Sequence, residues 1–175
     1  CGIKPTMETL KEKRGLDGTC IATTAIIKGI AGIAGMEVLE AEPDYKDRCK
    51  QGLRALEEKD FLLMNIKEAD EAAHDHDHNK KIEIIERIDS ALEAFLDFTD
   101  ENYLVLLSDH TTPISFGDHT GDSVPLVIAG PEVRTDDVMQ FDERSAAKGG
   151  LCSIRAHDIM SILLNLMNKT EKFGA

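Results

Sequence analysis

Residues 65–81, NIKEADEAAHDHDHNKK, begin with the last two residues of the apolar run FLLMNI and combine several carboxylates with three histidines. Asp70 and His74 stand four positions apart, a spacing that puts both side chains on one face of a helix. A carboxylate and a neutral imidazole are suitable ligands for a divalent cation. The alternative is an acidic helix N-terminus with an exposed histidine one turn later. His76 and His78 are interpreted as surface histidines that bind ions only weakly.

The same residue types follow or precede two other apolar runs. Asp109 and His110 come directly after YLVLLS, and His119 lies in GDHTGDSVP, just before the run VPLVIAG. Because ligands of open α/β sheets bind beyond the carboxyl ends of strands, these positions predict a shared site, and five such groups suit two ions better than one. Taken singly, Asp109 could form a strand-end turn and His119 could be an ordinary loop residue. Three neighbouring hydroxyls are interpreted as hydrogen-bonding or turn-forming residues: Ser108, Thr111 and Thr112.

The elements that must position these residues alternate between strands and helices. Short apolar runs predict strands at GTCIATTAI from Gly18, at MEVLEA, at FLLMNI, at 103–108 and at 124–130, the last two being covered on both faces. Helices are predicted over TTAIIKGIAGIAG, after Pro43-Asp44, over 79–98 and over 155–168. The residues expected on the inner faces are given in the order of the four helices. They are Ile26, Ile27, Ile30 and Ile33 for the first; Tyr45, Cys49, Leu53 and Leu56 for the second; Ile82, Ile85, Ile88, Leu92 and Phe95 for the third; and Ile159, Ile162, Leu163 and Leu166 for the fourth.

This alternation predicts an α/β protein, a three-layer sandwich with a mainly parallel sheet, because each crossover helix must cover one face of the sheet. Residues 1–175 are expected to form a single domain. The polar segment 131–150 is expected to be a surface excursion within it.

Composition restricts the possible partners and the compartment. The formal net charge is −13, and the sequence has no run of Lys or Arg that could form a basic patch. Binding to nucleic acid or to an anionic membrane surface is therefore disfavoured. The sequence has no unbroken apolar stretch of about 18 residues and no secretory signal pattern, so we expect a cytoplasmic protein. Four scattered cysteines form no CxxC pair and are expected to be reduced thiols: Cys1, Cys20, Cys49 and Cys152.

Three motifs in this order, DEAAHDHD, LLSDHTTP and FGDHTGDSVPLVIAG, resemble the metal-binding signature of 2,3-bisphosphoglycerate-independent phosphoglycerate mutase in its archaeal form. This family belongs to the alkaline phosphatase superfamily. The flanking segments EKRGLDGTCIATTAIIKGIAGIAGMEV, KIEIIERID and FDERSAAKGGL resemble it too, so the likeness covers nearly the whole chain. Between Glu40 and Asp44 the sequence departs from the family, which often carries a longer loop there.

The resemblance implies a site with two divalent ions, most often Mn2+, although Zn2+, Co2+ and Mg2+ suit similar ligands. It implies that Asp70, His74 and His119 bind one ion, and that Asp109 and His110 bind the other. Lys13, in EKRGL, matches a family lysine placed near the transferred phosphate.

The implied reaction interconverts 3-phosphoglycerate and 2-phosphoglycerate through a phosphoserine, as in glycolysis. No segment matches the family's nucleophilic serine, its N-terminal aspartate or its inserted substrate domain. The chain, which begins with Cys1, is therefore expected to be the C-terminal part of the phosphatase-like domain and inactive alone.

Two alternatives remain open from the sequence. A phosphomonoester or phosphonate hydrolase on the same scaffold would share the metal ligands, and a non-catalytic domain could use them for stability. The oligomeric state is not determined by these patterns.

Overall fold

A computed structural model of the chain describes residues 7–170, so the prediction for Cys1 lies outside the described residues. The described residues form two compact units. The first contains the chain up to Ala94 together with Ile114–Gly117, and the second contains Phe95–Pro113 and the chain from Asp118 onward. Each unit has its own strands and helices.

The first unit is built on a parallel sheet of three strands in the order β2-β1-β3. The strands are β1 (Gly18–Ala22), β2 (Glu37–Glu40) and β3 (Phe61–Met64). Cys20 in the central strand stands opposite Val38 on one side and Leu63 on the other. Every residue of β1 is buried, as expected for the middle strand of a parallel sheet. The predicted parallel α/β fold class is therefore confirmed.

Five helices complete the first unit: α1 (Leu10–Arg14), α2 (Ala25–Ile33), α3 (Tyr45–Leu56), α4 (Glu68–His74) and α5 (His78–Leu92). Helix α2 packs on β1 and β2, α3 packs on β1 and β3, and α5 packs on α3 and α4. Helix α3 begins where Asp44 accepts hydrogen bonds from the backbone N–H groups of Lys46 and Asp47. Its predicted start and its buried residues Tyr45 and Cys49 are confirmed.

The predicted inner faces of α5 and α2 are partly wrong. Helix α5 ends at Leu92, where 3₁₀ turns Glu93–Phe95 and Asp97–Asp100 follow. It buries Ile84 and Ala91, whereas Ile82 and Ile85 are about half exposed. In α2, Ile27 packs against the buried core, whereas Ile26 and Ile30 are exposed. Both helices carry isoleucines on two overlapping stripes, and their spacing alone does not determine which stripe is buried.

The second unit contains strands β4 (Leu104–Leu107) and β5 (Leu126–Ala129), which pair antiparallel. Beyond them, Thr111 and Thr120 form a further antiparallel bridge. The expectation that both strands are covered on both faces is wrong, since Leu107 and Val127 are each 41% exposed. Antiparallel strands often have one solvated face.

Two helices follow in the second unit: α6 (Glu143–Ala146) and α7 (Ala156–Leu166). Helix α7 lies inside the predicted span 155–168 and buries Leu163 and Leu164. The polar segment 131–150 is irregular apart from α6, which Asp142 caps by accepting from two backbone N–H groups. Among the described residues, no helix has both the length and the apolar character needed to cross a bilayer.

Candidate metal centre

The pair Asp70 and His74 lies on helix α4, which begins four residues after β3 ends. The helix is anchored by the buried methyl groups of Ala72 and Ala73. Asp70 is therefore held with only 14% of its side chain exposed, and its Oδ2 atom lies 3.5 Å from Nε2 of His74. Both side chains lie on one face of the helix, as predicted.

The imidazole of His74 is oriented by a backbone carbonyl. Its Nδ1 atom lies 2.9 Å from the carbonyl oxygen of Gly117. Since a carbonyl oxygen only accepts hydrogen bonds, Nδ1 must donate, and in the neutral ring Nε2 then carries the lone pair. That lone pair lies on the side of the Asp70 carboxylate. An imidazole whose second nitrogen is hydrogen bonded to a carbonyl is the usual form of a metal-binding histidine, so these two residues fit a divalent ion.

Asp70 already attracts a cationic group within its own helix turn. The ammonium group of Lys67 forms an ion pair with Oδ2 of Asp70, the same oxygen that faces His74. The carboxylate is thus a place where positive charge is stabilised, and Nε2 of the imidazole is its neighbour.

His76 lies at the surface, as predicted, but it also contacts the segment Ile114–Gly117. It is exposed, but its Nδ1 atom lies 2.6 Å from the carbonyl oxygen of Ile114 and its ring lies against Gly117. Its φ angle of 56° is in the left-handed region, which is uncommon outside glycine. Both His74 and His76 therefore hydrogen bond to the segment Ile114–Gly117. His78, the first residue of α5, is exposed as predicted.

The other three predicted ligands belong to the second unit. Asp109 is 72% exposed at the side chain, and its Oδ1 atom lies 3.6 Å from Nε2 of His110. The rings of His110 and His119 stack with centroids 3.8 Å apart and planes inclined by 29°. The connection between β4 and β5 brings them together, because its antiparallel bridge at Thr111 and Thr120 directly adjoins both histidines.

Hydroxyl groups beside Asp109 and His110 support the ring positions. The buried Thr112 places Oγ1 3.2 Å from Nδ1 of His110, and the Oγ1 of Thr111 donates to the carbonyl oxygen of Thr120 at 3.1 Å. Thr111 and Thr112 are thus hydrogen-bonding residues, as predicted. With Nδ1 of His110 held by Thr112, its Nε2 faces Asp109.

Lys13 lies in the last turn of α1 and is exposed. The helix begins with a capping box in which Thr9 and Glu12 satisfy each other's backbone N–H groups. It ends at Gly15, whose φ of 68° is in the left-handed region.

One buried charge near α4 was missed by the sequence patterns. Arg48 is only 1% exposed, and its Nη2 atom lies 3.0 Å from Oε1 of Glu68 in the first turn of α4. Burial raises the pKa of Glu68, but the hydrogen bond and charge of Arg48, together with hydrogen bonds from the backbone N–H groups of Glu68 and Lys67, outweigh this effect and leave the pKa below its usual value. Helical spacing around Tyr45 and Cys49 places position 48 near the buried face, which is the one signal the sequence offers.

The sequence profile of the metalloenzyme superfamily matches residues 3–166. A protein of Methanothermobacter thermautotrophicus named 2,3-bisphosphoglycerate-independent phosphoglycerate mutase 1 is 48% identical over 99% of this chain, which covers 44% of that relative. The chain thus spans less than half the length of this curated relative. Among solved structures, a protein from Pyrococcus horikoshii superposes with a TM-score of 0.93 at 37% identity, over 99% of this chain and 56% of that one.

The cofactor-independent phosphoglycerate mutase from Thermoplasma acidophilum superposes with a TM-score of 0.73 at 26% identity, over 91% of this chain and 38% of that one. These matches confirm the resemblance seen in the motifs and the alkaline-phosphatase-like α/β fold class. Since the superfamily profile covers nearly the whole sequence, this chain belongs to the metalloenzyme superfamily.

Proposed function

We propose that the protein carrying this chain is a cytoplasmic, metal-dependent phosphoglycerate mutase, an isomerase that interconverts 3-phosphoglycerate and 2-phosphoglycerate in glycolysis. Two facts support the proposal: membership of the metalloenzyme superfamily, and 48% identity to a protein named as such a mutase. The observation that carries it is the Asp70 and His74 pair, in which Gly117 holds Nδ1 of the imidazole and leaves Nε2 beside the carboxylate.

In this proposal, Asp70, His74 and His119 bind one divalent ion, and Asp109 and His110 contribute to a second. Mn2+ is the proposed metal, and Zn2+, Co2+ or Mg2+ could satisfy the same ligand types. When bound, the ions would lower the pKa of a nucleophilic hydroxyl group and offset the negative charge of the phosphate.

The other proposed roles concern residues of this chain. The carbonyl of Gly117 keeps His74 in the ligand tautomer, and Thr112 fixes the His110 ring. Lys13 is proposed to lie near the transferred phosphate, where its ammonium group would stabilise negative charge. Residues 1–175 are proposed to form part of one phosphatase-like domain. The proposed substrate is a small phosphorylated acid. Because the net charge of −13 repels such an anion, local cations such as Lys13 are needed to bind it.

The proposed transfer has two balanced steps. First, the hydroxyl oxygen of a serine outside this sequence bonds to phosphorus while the bond between phosphorus and the 3-oxygen of the substrate breaks. The serine hydroxyl gives up one proton and the departing 3-oxygen gains one, which leaves a phosphoserine and glycerate. The glycerate then reorients, its 2-hydroxyl accepts the phosphoryl group, and the serine hydroxyl is restored. Because the phosphoserine transfers its phosphoryl group to the retained glycerate and not to water, no free phosphate is released.

The test follows the phosphorus nuclei in the full-length protein by ³¹P NMR, with 3-phosphoglycerate and Mn2+ present. We expect 2-phosphoglycerate to appear until equilibrium while inorganic phosphate stays constant, and the reaction to stop when a chelator removes the metal. Continuous phosphate release without 2-phosphoglycerate would instead indicate the hydrolase. Absence of any turnover, with Mn2+ still bound, would indicate a non-catalytic metal domain.

A further inference from the structure

Arg48 links the loop after β2 to the start of α4 in the first unit. Its Nε atom donates to the carbonyl oxygen of Glu42 at 2.9 Å, and its Nη2 atom donates to Oε1 of Glu68 at 3.0 Å. The guanidinium carbon lies 5.2 Å from the ring centroid of Tyr45, which is itself buried. Three contacts from three different elements therefore hold a charged side chain that is almost completely removed from solvent.

Helix α4 depends on such an external anchor. It has only seven residues, and Lys67 at its N-cap makes no side-chain capping hydrogen bond. Helices shorter than about 12 residues are marginal on their own, so packing and contacts at the ends determine where a short helix lies. Glu68 is the first residue of α4 and precedes Asp70 by two positions. A contact that holds Glu68 therefore acts, together with the packing of α4 on α5, on the position of Asp70 and His74.

The pair of Arg48 and Glu68 is not arranged for the greatest possible stability. Only one terminal atom of each group is used, and Nη1 of Arg48 and Oε2 of Glu68 are buried without a hydrogen-bonding partner in the described part of the chain. A bidentate pair would satisfy both. Buried ion pairs that are only partly satisfied contribute little net stability compared with apolar packing, and in some proteins their role is to fix the position of the elements they join.

We propose that Arg48 is a positioning residue for the metal site: through Glu68 it holds the first turn of α4 so that Asp70 and His74 point at the same ion. This inference rests on the proposed function, since it assumes that these two residues bind metal. It adds a residue that makes no contact with the ion itself.

The test measures the dissociation constant of Mn2+ by calorimetric titration of the full-length protein, together with the melting temperature of the metal-free form. Arg48→Met removes the contacts to Glu42 and Glu68 and keeps an unbranched side chain. We expect it to weaken Mn2+ binding roughly 10-fold to 100-fold, as for loss of residues that orient metal ligands. Arg87→Met is the matched control, because Arg87 also lies over Tyr45, at 5.0 Å, but forms its ion pairs with Asp44 and Glu83. We expect less than a twofold change for it.

A purely structural role would give a different pattern. Wild-type Mn2+ affinity in Arg48→Met, with only a lower melting temperature, would overturn the inference. If Arg48→Met does not fold, Arg48→Lys decides, because a single ammonium group cannot bond to both Glu42 and Glu68 in the geometry of a guanidinium fork. We expect at least threefold weaker binding in Arg48→Lys, and unchanged affinity would overturn the inference.

A separate variant tests the underlying assumption. Asp70→Asn should weaken Mn2+ binding severely if the proposed site is correct. Normal binding in Asp70→Asn would refute the proposed function itself, whereas weak binding in Asp70→Asn together with normal binding in Arg48→Met would refute only the positioning role.

Discussion

Substituting Gly117 by alanine should destabilise the protein more than the backbone conformation alone explains. Gly117 has φ of 70°, and a Cβ atom there would overlap the ring of His76. The left-handed backbone costs a residue with a Cβ about 1 kcal/mol. Moving the His76 ring also breaks its hydrogen bond to the carbonyl of Ile114, which adds roughly 0.5–1.5 kcal/mol. The expected total is about 2 kcal/mol.

Gly15→Ala is the matched control. Gly15 has nearly the same φ, 68°, but a Cβ atom there would meet nothing within 4 Å. Its substitution should therefore cost only the backbone term, about 1 kcal/mol. Urea unfolding followed by circular dichroism gives the free energy of unfolding of both variants and of the wild type.

A double-mutant cycle isolates the ring contact. In a His76→Ala background the overlap and the hydrogen bond are both absent, so Gly117→Ala should cost about 1 kcal/mol, like Gly15→Ala. The reasoning is refuted if Gly117→Ala is no more destabilising than Gly15→Ala, or if its cost is unchanged when His76 is removed.

Four further predictions follow from the described contacts. Burial raises the pKa of the Cys20 and Cys49 thiols, whereas Cys152 is exposed. In the native protein an alkylating reagent should therefore modify Cys152 first, and it should modify Cys20 and Cys49 only when the protein unfolds. Mass spectrometry measures this order. Asp44→Ala removes the cap of α3 and should cost about 1 kcal/mol in urea unfolding, whereas Asp44→Asn should cost much less. Hydrogen bonds from the backbone N–H groups of Gly150 and Val138 lower the pKa of Asp136, so these contacts contribute stability at neutral pH that is lost as the pH falls through this lowered pKa. NMR titration of the two donor amide resonances should show a midpoint below the usual aspartate pKa, and a midpoint at that usual value would contradict the prediction. The 175-residue chain by itself should show no mutase turnover, and measurable formation of 2-phosphoglycerate by the purified chain would contradict this.

The parallel sheet and its helices could be predicted because their signals are local. Strand β1 begins at Gly18 as predicted, although it ends at Ala22 and the last residues of the predicted run GTCIATTAI lie in α2. Helix α3 begins at the predicted aspartate cap. The antiparallel pairing of β4 and β5 was harder to predict, because an apolar run does not indicate the direction of a strand relative to its neighbour. Their 18-residue connection has no helix, and a parallel crossover usually requires one, so the sequence did contain an overlooked signal for antiparallel pairing.

The close approach of Asp70 and His74 could be predicted because a spacing of four residues determines a shared helix face. Its support could not be predicted. Helical spacing places Arg48 near the buried face of α3, but no local pattern identifies Glu68, 20 positions away, as its partner. The bond from His74 to Gly117 spans 43 positions, which no local pattern specifies.

The most direct measurement of the central claim is anomalous diffraction from a Mn2+-soaked crystal of the full-length protein. The account predicts two manganese peaks. One should lie roughly 2.0–2.2 Å from ligand atoms of Asp70, His74 and His119, and the second should be bound by Asp109 and His110. Peaks at His76 or His78 instead, or no peak at Asp70 and His74, would contradict it.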